Sequence, residues 1–358
     1  QLQHHPQKPM RTAVAVSGGA DSLFALLALR EAGHDVLALH AHFLAPDAVD
    51  ADVQDRLRHC CKTLGVDLEI VDLHHKFAEL VITPFIEHYA QGMTPNPCAL
   101  CNPRIKFGIL RDAARQLGCK GFATGHYVRL LQTPNGPLLC RGNDPRKEQS
   151  YFLSLVPQAS LDNVVFPLGT RHKSTIQGEL EQRGFTIPES EESQEVCFIP
   201  GDDYRSFLQN TDAPLSGPGP IVDRAGNQLG HHSGLWRYTL GQRRGLGIAY
   251  SEPLYVIDKE IRSNRLVVGT RAERQATGCS VHELNTLLPF EKWPDQIWVQ
   301  TNYRQQPVPC RIRVVSETGM EISFLEPKGP AAPGQVAAFY TAKGYVLGGG
   351  IIHDSTRT

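Results

Sequence analysis

Six consecutive residues near the start of the chain, Ser17-Gly18-Gly19-Ala20-Asp21-Ser22, are typical of a phosphate-binding loop. They stand between a predicted buried strand, Ala13–Val16, and a predicted helix, Asp21–Ala32. Two glycines allow a tight turn that exposes consecutive N–H groups, and the helix N-terminus adds positive potential for an anion. The loop has no lysine, so it differs from a Walker motif and favours pyrophosphate held by backbone and hydroxyl groups. The alternative interpretation is an ordinary glycine-rich turn.

A second segment could supply a reactive thiol. It reads T-P-N-P-C-A-L-C-N-P over residues 94–103 and precedes a predicted helix, Ile105–Leu117. The proline at its end is typical of a first helical turn, so we expect Cys101 near a helix N-terminus, with Arg104 and Lys106 close by. Both conditions favour the thiolate, and the sequence therefore predicts a reactive Cys101.

Other cysteines and histidines give weaker signals. A C-x-x-C pair can be half of a zinc site, but the adjacent pair Cys60-Cys61 falls within a predicted helix and suits chelation poorly. Cys197, in S-Q-E-V-C-F, would by itself be interpreted as a buried structural cysteine. No metal site is predicted from the paired histidines, which lack carboxylates or cysteines at ligand spacing: His4-His5, His74-His75 and His231-His232.

The composition describes a folded protein with no overall preference for polyanions. The chain has 358 residues, 41% apolar and 20% charged, which excludes global disorder and a small disulfide scaffold. Lys plus Arg number 36 and Asp plus Glu 37, a net charge of −1, so a polyanionic partner must be held by a local patch. The segment 237–274 offers one, because its basic residues outnumber its acidic residues by eight to four.

The nine cysteines are odd in number and scattered along the chain. Neither the polar residues 1–10 nor the apolar run Leu23–Leu29 resembles an export signal or a membrane span, which needs about 20 apolar residues. We therefore expect reduced thiols in a cytoplasmic protein with no membrane partner.

Alternating apolar runs and helix-period stretches organise the first half of the chain. This pattern predicts an α/β fold with a doubly wound parallel sheet, because strands separated by helices require crossover connections. Besides the two elements around the loop, the predicted elements are strands Val36–Ala41, Leu68–Leu73 and Gly121–Thr124, and helices Asp52–Leu64, Phe77–Tyr89 and Ile105–Leu117.

The pattern changes after about Pro200, where prolines and glycines cluster. Short strands separated by turns follow from about Cys279 and predict a C-terminal antiparallel β-barrel, with strands Ile297–Thr301, Cys310–Val315, Glu321–Phe324, Val336–Tyr340 and Tyr345–Ile352. We predict three domains, at residues 1–204, 205–275 and 276–358, the second of them small.

Several motifs occur together in one order, and their series resembles that of the tRNA-specific 2-thiouridylases. The phosphate loop alone resembles the pyrophosphate loop (PP-loop) of ATP-dependent adenylating enzymes, which split ATP between its α and β phosphates. After the loop come T-P-N-P-C-x-x-C-N from Thr94, T-G-H-Y (Thr124–Tyr127), K-x-Q-S-Y-F-L (Lys147–Leu153), S-Q-x-x-C-F (Ser193–Phe198), Y-T-x-G-Q-R-x-G-L (Tyr238–Leu246), Tyr303-Arg304, Pro333-Gly334-Gln335 and Leu347–Gly350. The resemblance covers nearly the whole chain.

The resemblance implies a role for each matching residue. An ATP site would comprise Ala15, Val16, Ser17, Gly18, Gly19, Ala20, Asp21, Ser22, Ala41 and Gly125. The target base would contact Asn96, Pro97 and Cys98, and other parts of the tRNA would contact His126, Lys147, Glu148, Gln149, Tyr303, Arg304 and Gln335. The catalytic residues would be Cys101 as nucleophile, Cys197 as persulfide carrier and Asp21 at the ATP phosphates with Mg²⁺.

The resemblance also implies a reaction. The C2 oxygen of the wobble uridine, position 34 of the tRNAs for Lys, Glu and Gln, would be adenylated by ATP. Sulfur from a Cys197 persulfide, loaded by a donor protein, would then give 2-thiouridine, AMP and pyrophosphate. Cys101 would attack the persulfide, and a reductant would reset the resulting disulfide.

Three positions depart from the family pattern and leave alternatives open. Ala20 stands where Val is frequent, Glu148 where Asp is frequent, and Cys98 where some members have Asp. Cys98, Cys101 and Cys197 together could hold a [4Fe-4S] cluster with one open iron, although a relay needs only two cysteines and is preferred. A different tRNA-adenylating transferase would not need Cys197, and a catalytically silent tRNA-binding protein would need neither Cys101 nor Asp21.

Overall fold

The computed structural model describes residues 10–45, 51–186, 196–199, 201 and 203–357. Backbone contacts divide the chain into two compact units. The first unit contains the described residues of Gln1–Leu80, Leu100–Gln194 and Gly344–Val346, and the second unit those of Val81–Ala99, Glu195–Lys343 and Leu347–Thr358. The three predicted domain boundaries are a different division and stay a prediction. Among the described residues, no helix has the length and apolarity needed to cross a membrane.

The first unit is built on a five-stranded parallel sheet. Its strands are β1 (Thr12–Ala15), β2 (Val36–His42), β3 (Asp67–Asp72), β4 (Gly121–Ala123) and β7 (Val164–Val165), in the order β3-β2-β1-β4-β7. A separate hairpin pairs β5 (Val128–Thr133) with β6 (Gly136–Arg141). From β1 the chain first adds strands on one side and then crosses to the other side with β4. The predicted doubly wound α/β sheet is therefore confirmed.

The described helices vary in length and regularity. They are α1 (Ala20–Glu31), α2 (Ala51–Leu64), α3 (His74–Phe77), α4 (Thr83–Ala90), α5 (Pro97–Cys101), α6 (Arg111–Gln116), α7 (Ser150–Leu153), α8 (Lys173–Glu181) and α9 (Tyr204–Gln209), with wider π-helical turns at Ala78–Ile82 and Asn102–Leu110. α1 is apolar on most of its surface and is buried from Ser22 to Leu27. A helix of this kind must lie in the core, and Ile176 and Leu180 of α8 share that core.

The predicted helix Ile105–Leu117 begins earlier than expected. Helical backbone runs from Pro97 to Gln116 and is interrupted only at Gly108, where φ is −103° and ψ is −105°. The physical reason is the Asn96 side chain, whose Oδ1 accepts the N–H of Ala99 at 3.1 Å and so satisfies the first turn of α5. The expectation that Cys101 lies at a helix N-terminus is consequently wrong.

The second unit contains a mixed sheet and a closed barrel. The strands of the sheet are β8 (Gly219–Val222), β9 (Gln228–His232), β10 (Tyr255–Glu260) and β11 (Arg265–Gly269), in the order β10-β11-β8-β9. The strands of the barrel are β12 (Ala276–Thr286), β13 (Ile297–Gln300), β14 (Val308–Ser316), β15 (Gly319–Lys328), β16 (Val336–Tyr340) and β17 (Val346–Thr356), in the order β12-β15-β14-β13-β16-β17.

Alternation of side chains explains the barrel. Along β15, Met320, Ile322 and Phe324 are buried in the barrel core, whereas Glu321 and Ser323 between them are exposed. Successive residues of a strand point to opposite faces, so this pattern lines the interior with apolar groups. The predicted C-terminal antiparallel barrel is confirmed, and β12 joins the five predicted strands to close it.

Candidate active site

The loop of residues 17–22 joins the end of β1 to the start of α1 and is closed by Ser22. The Ser22 hydroxyl accepts the N–H of Ser17 at 3.0 Å and donates to the carbonyl of Gly19 at 2.9 Å. Gly18 has φ +88°, and a Cβ there would lie 2.5 Å from Val53 Cγ1, so this turn requires glycine. Gly19 is the N-cap of α1 and offers no side-chain acceptor to the first-turn N–H groups. The geometry is that of an anion site at a helix N-terminus, as predicted.

Gly125 brings a second strand against this loop. The loop follows β1 and the T-G-H-Y segment follows β4, the two neighbouring strands between which the chain changes direction across the sheet. A Cβ at Gly125 would lie 3.0 Å from the carbonyl carbon of Asp21 and from the nitrogen of Ser22. Ala41 lies near the end of β2, the other neighbour of β1. Ligands bind at this edge in open α/β sheets, so the predicted ATP residues share one functional edge.

The Asp21 carboxylate is fixed by two groups outside the loop. Its Oδ1 accepts a hydrogen bond from the Tyr127 hydroxyl at 2.6 Å and another from Lys173 Nζ at 2.7 Å. Burial, followed by the contact with Asp21, raises the pKa of Tyr127, so its hydroxyl stays a donor. Sequence reasoning missed both partners. Tyr127 belongs to the T-G-H-Y motif, whereas Lys173 begins a helix that was not predicted.

His126 is buried in the first unit. Its Nδ1 lies 2.7 Å from Thr124 Oγ1, and its ring packs near Phe107 and Phe166. Burial, reinforced by the charge of Lys106, lowers the pKa of His126 well below its usual value and keeps the ring neutral. In this structure His126 supports the segment around Gly125, and its predicted contact with tRNA stays a prediction.

Gln149, in the segment 147–149, supports the same segment. Gln149 Oε1 accepts the Tyr127 N–H at 2.9 Å, and the Gln149 N–H donates to the Tyr127 carbonyl at 3.1 Å. Glu148 is buried with one carboxylate oxygen 3.3 Å from Arg141 Nε, and Lys147 is half-buried. The predicted contacts of these three residues with tRNA stay predictions.

In the second unit, three distant motifs meet at Thr94. Gln335 Nε2 donates to the carbonyls of Thr94 at 2.9 Å and Pro95 at 3.3 Å. The Thr94 N–H donates to the Pro333 carbonyl at 2.8 Å, and the Thr94 hydroxyl lies 3.2 Å from the hydroxyl of Thr239. Gln335 is thus a positioning residue for the segment that leads into Asn96.

The two cysteines of α5 differ in environment. Cys98 is exposed and occupies the second position of the helix, directly after Pro97, whereas Cys101 is buried one turn later. Arg104, expected near the Cys101 thiol, donates to the Leu80 carbonyl at 3.1 Å. The helix start therefore acts on Cys98 more directly than on Cys101.

Cys197 is an exposed residue next to an aromatic anchor. Phe198 and Ile199 are buried, and the Phe198 ring contacts Phe85 of α4 edge-on at 5.2 Å and Phe207 of α9 at 5.6 Å between centroids. The expectation that a lone Cys197 is buried is wrong, because burial falls on the two residues that follow it. Residues 193–195 of the motif lie outside the described residues.

Tyr303 and Arg304 lie in the turn between β13 and β14. Gln300, 1% exposed, donates to the Tyr303 carbonyl at 2.8 Å, and the Asn302 side chain accepts the Arg304 N–H at 3.1 Å. Lys328 Nζ holds the same turn from β15. Arg304 is exposed and Tyr303 is half-buried, so both residues are accessible to solvent.

Comparison with known proteins gives matches along nearly the whole chain. Family models match at residues 10–201 (tRNA methyl transferase HUP domain), 205–270 (tRNA methyl transferase PRC-barrel domain) and 252–352 (aminomethyltransferase β-barrel domain). A tRNA-specific 2-thiouridylase MnmA of Nitratidesulfovibrio vulgaris is 53% identical over 96% of this chain and 99% of its own. The chain belongs to the tRNA-specific 2-thiouridylase family.

Two further relatives agree with this assignment. The enzymes of the same name from Oleidesulfovibrio alaskensis and Lawsonia intracellularis are 52% and 47% identical, each over 96% of this chain and 99% of their own. The family predicted from the order of the motifs is confirmed.

Two of the nine cysteines, Cys98 and Cys197, are exposed, and the other seven are buried. Burial raises the pKa of Cys61 to about 11 and those of Cys279 and Cys310 to about 12, and it also raises the pKa values of Cys60, Cys119 and Cys140. In the part of the chain that the structure describes, no group of three or more His, Cys, Asp or Glu side chains is placed to hold a metal ion.

We predict selective alkylation of the native protein. At pH 8 a thiol with a pKa of about 11 is ionised to about one part in a thousand, and reactivity rises only as the pH approaches the pKa. Iodoacetamide should therefore label the exposed Cys98 and Cys197 and spare Cys61, Cys279 and Cys310, as measured by peptide mass spectrometry. Labelling in denaturant is the control, and equal labelling of Cys279 and Cys197 in the native state would contradict the assignment.

We also predict that Gln335→Ala loosens the Thr94 segment. Two carbonyls lose their donor, which costs about 1–3 kcal/mol where the groups are shielded from water. Hydrogen exchange at the Thr94 N–H should accelerate, and the free energy of unfolding should fall. Gln228→Ala, on the exposed surface of β9, is the matched control and should change the free energy of unfolding by less than about 0.5 kcal/mol. Unchanged exchange at Thr94 would rule out the positioning role.

Proposed function

We propose that this protein is a tRNA-uridine 2-sulfurtransferase that converts the wobble uridine of tRNA to 2-thiouridine at the expense of ATP. The observation that carries the proposal is the PP-loop at the point where the strand order reverses, in a chain whose near-full-length relatives are tRNA-specific 2-thiouridylases. The direct test is reconstitution with unmodified tRNA, ATP and a sulfur donor, followed by mass analysis of nucleosides. Formation of 2-thiouridine with release of pyrophosphate is expected, and its absence would refute the proposal.

The loop residues suit ATP as a substrate. The glycine N-cap of α1 leaves first-turn N–H groups to a phosphate rather than to a side chain, and the Ser17 hydroxyl, 3.3 Å from that of Ser22, adds another hydrogen-bonding group. Asp21 is the carboxylate at this edge that would hold Mg²⁺, which neutralises charge on the departing pyrophosphate. Ala41 and Gly125 flank the loop and are the positions proposed for the adenosine.

Activation of the uridine explains why ATP is needed. A C2 carbonyl oxygen is a poor leaving group, and its attack on the α phosphate of ATP gives an adenylated oxygen and pyrophosphate. Sulfur then attacks C2, and AMP departs with the original oxygen. The first unit supplies the proposed adenylation site, and segments 205–275 and 276–358 are proposed as the tRNA-binding domains.

We propose a persulfide relay for the sulfur. The Cys101 thiolate attacks the inner sulfur of the Cys197 persulfide, which forms a Cys101–Cys197 disulfide and expels hydrosulfide, the nucleophile at C2. If the terminal sulfur is instead transferred directly, Cys101 closes the same disulfide afterwards. A two-electron reductant restores both thiols. The exposure of Cys197 supports loading by a separate persulfide donor protein.

An iron–sulfur version of the thiolation would use Cys98, Cys101 and Cys197 as ligands. The described residues do not gather three such side chains into a metal-holding group, so the geometry gives this version no support. We therefore derive no step through a cluster and keep the relay.

The substrate and setting follow from family resemblance and surface charge. We propose the tRNAs for Lys, Glu and Gln as substrates and the cytoplasm as the compartment. Four arginines of the basic segment are exposed and suit RNA phosphates: Arg243, Arg244, Arg262 and Arg271.

We predict that Asp21→Asn blocks adenylation and spares tRNA binding. The amide keeps the shape and can accept from Tyr127, but it lacks the charge that would hold Mg²⁺. Pyrophosphate release in the presence of unmodified tRNA should fall by about two orders of magnitude, as when one preorganised electrostatic group is removed. The tRNA dissociation constant should stay within about twofold, which serves as the internal control. Wild-type release rates would exclude the role of Asp21.

We predict that Cys98→Ala retains most thiolation, whereas Cys101→Ala and Cys197→Ala abolish it. A relay uses only the last two thiols, and a cluster would need all three. The measurement is 2-thiouridine per tRNA after anaerobic purification, with iron and acid-labile sulfide assays on each variant. Cys119→Ala, which removes a buried cysteine of the first unit, is the control. Stoichiometric iron together with an inactive Cys98→Ala variant would favour the cluster.

A further inference from the structure

Lys173 brings a positive charge to a loop that has none. It is the first residue of α8, 152 positions from Asp21, and its Nζ lies 2.7 Å from Asp21 Oδ1. The two side chains are 32% and 34% exposed, so the pair contributes little to stability on its own. Stability therefore gives a weak reason for a lysine at this place, and an anion-binding role gives a stronger one.

Asp144 fixes the position from which Lys173 reaches the loop. One oxygen of the Asp144 carboxylate accepts the Lys173 N–H at 2.9 Å, and the other accepts the Arg146 N–H at 3.0 Å. Burial by itself raises the pKa of Asp144, but these N–H groups more than offset it and hold the pKa below its usual value, so the carboxylate stays ionised. Ile176 and Leu180 pack α8 into the core shared with α1. The start of α8 is thus held both by a buried carboxylate and by the core.

We propose that Lys173 is the cation that binds the pyrophosphate portion of ATP. The ammonium pairs with Asp21 while the loop holds no nucleotide and moves its charge to the β and γ phosphates when ATP enters. Lysine is a compact point charge that suits phosphate oxygens, and the Tyr127 hydroxyl remains to orient Asp21. Asp144 is the positioning residue. The inference rests on the proposed use of ATP and names the residue that completes that site.

A purely structural role for Lys173 predicts a different outcome. If the lysine only neutralised Asp21, its removal would leave the Asp21 charge unbalanced, and adding Asp21→Asn to Lys173→Met would restore the affinity for ATP. If it binds the β and γ phosphates, its removal weakens ATP and leaves AMP unaffected, because AMP has only the α phosphate. The ratio of ATP to AMP affinity, measured for Lys173→Met with and without Asp21→Asn, therefore separates the two roles.

The experiment measures ATP and AMP binding by calorimetry for the full-length wild type, for Lys173→Met with and without Asp21→Asn, for Lys173→Arg and for Asp144→Asn. We expect Lys173→Met to lose about ten- to hundredfold in ATP affinity, the size of one hydrogen bond to a charged group, with AMP affinity unchanged within about twofold. Lys173→Arg should recover most of the loss, and Asp144→Asn should lose less than Lys173→Met. Lys120→Met, an exposed lysine before β4 at the opposite edge of the sheet, is the matched control and should match the wild type.

Equal ATP affinity in Lys173→Met and the wild type would overturn the inference, and so would equal losses for ATP and AMP. Thermal unfolding of each variant identifies a folding defect, in which case Lys173→Gln replaces Lys173→Met. Pyrophosphate release with tRNA is measured in parallel on the wild type. A wild type that binds ATP but releases no pyrophosphate with tRNA would refute the proposed function, while the binding ratios would still decide the role of Lys173.

Discussion

A single carboxylate oxygen, Asp21 Oδ1, ties together the parts of the first unit that matter for its chemistry. It accepts hydrogen bonds from Tyr127, in the segment after β4, and from Lys173, at the start of α8, and Asp21 is the second residue of α1. Such convergence is available only because the chain crosses from one side of β1 to the other. The close approach of Gly125 to the same loop follows from this reversal. The sheet topology therefore places the loop of residues 17–22, Lys173 and Gly125 at one edge.

In the second unit, residues from distant positions in the chain likewise converge on one residue, Thr94. Prolines have no N–H group and residues 93–96 are not in a helix or strand, so the carbonyls of this segment accept hydrogen bonds from donors elsewhere in the chain. Gln335 supplies two N–H donors from a position 241 residues away, and Pro333 and Thr239 complete the set. Gln335 therefore positions this segment, and its predicted contact with tRNA stays a prediction.

Sequence periodicity predicted the elements that are regular and apolar. β2, α2 and the barrel strand β16 were found within a residue or two, because burial on one face leaves a repeat in the sequence. The hairpin of β5 and β6 was missed, although Asn135-Gly136, where the turn leads into β6, is a turn signal. The start of α5 was missed because Pro97 and Pro103 are both compatible with a first helical turn. The Asn96 hydrogen bond that fixes the start at Pro97 is visible only in the structure. The Lys173 contact left no local signal, since its partner lies 152 residues away.

The start of α5 at Pro97 changes the interpretation of Cys98. Pro97, not Pro103, begins the helix, so Cys98 stands at its second position and Cys101 lies one turn further on. The N-terminal amides of a helix stabilise a negative charge in the first turn. The sequence pattern that this chain resembles has Asp at this position in some members, and a carboxylate is favoured in a first helical turn for this reason. The helix start thus supplies a reason for a polar or ionisable side chain at this exposed position that does not require Cys98 to be a metal ligand.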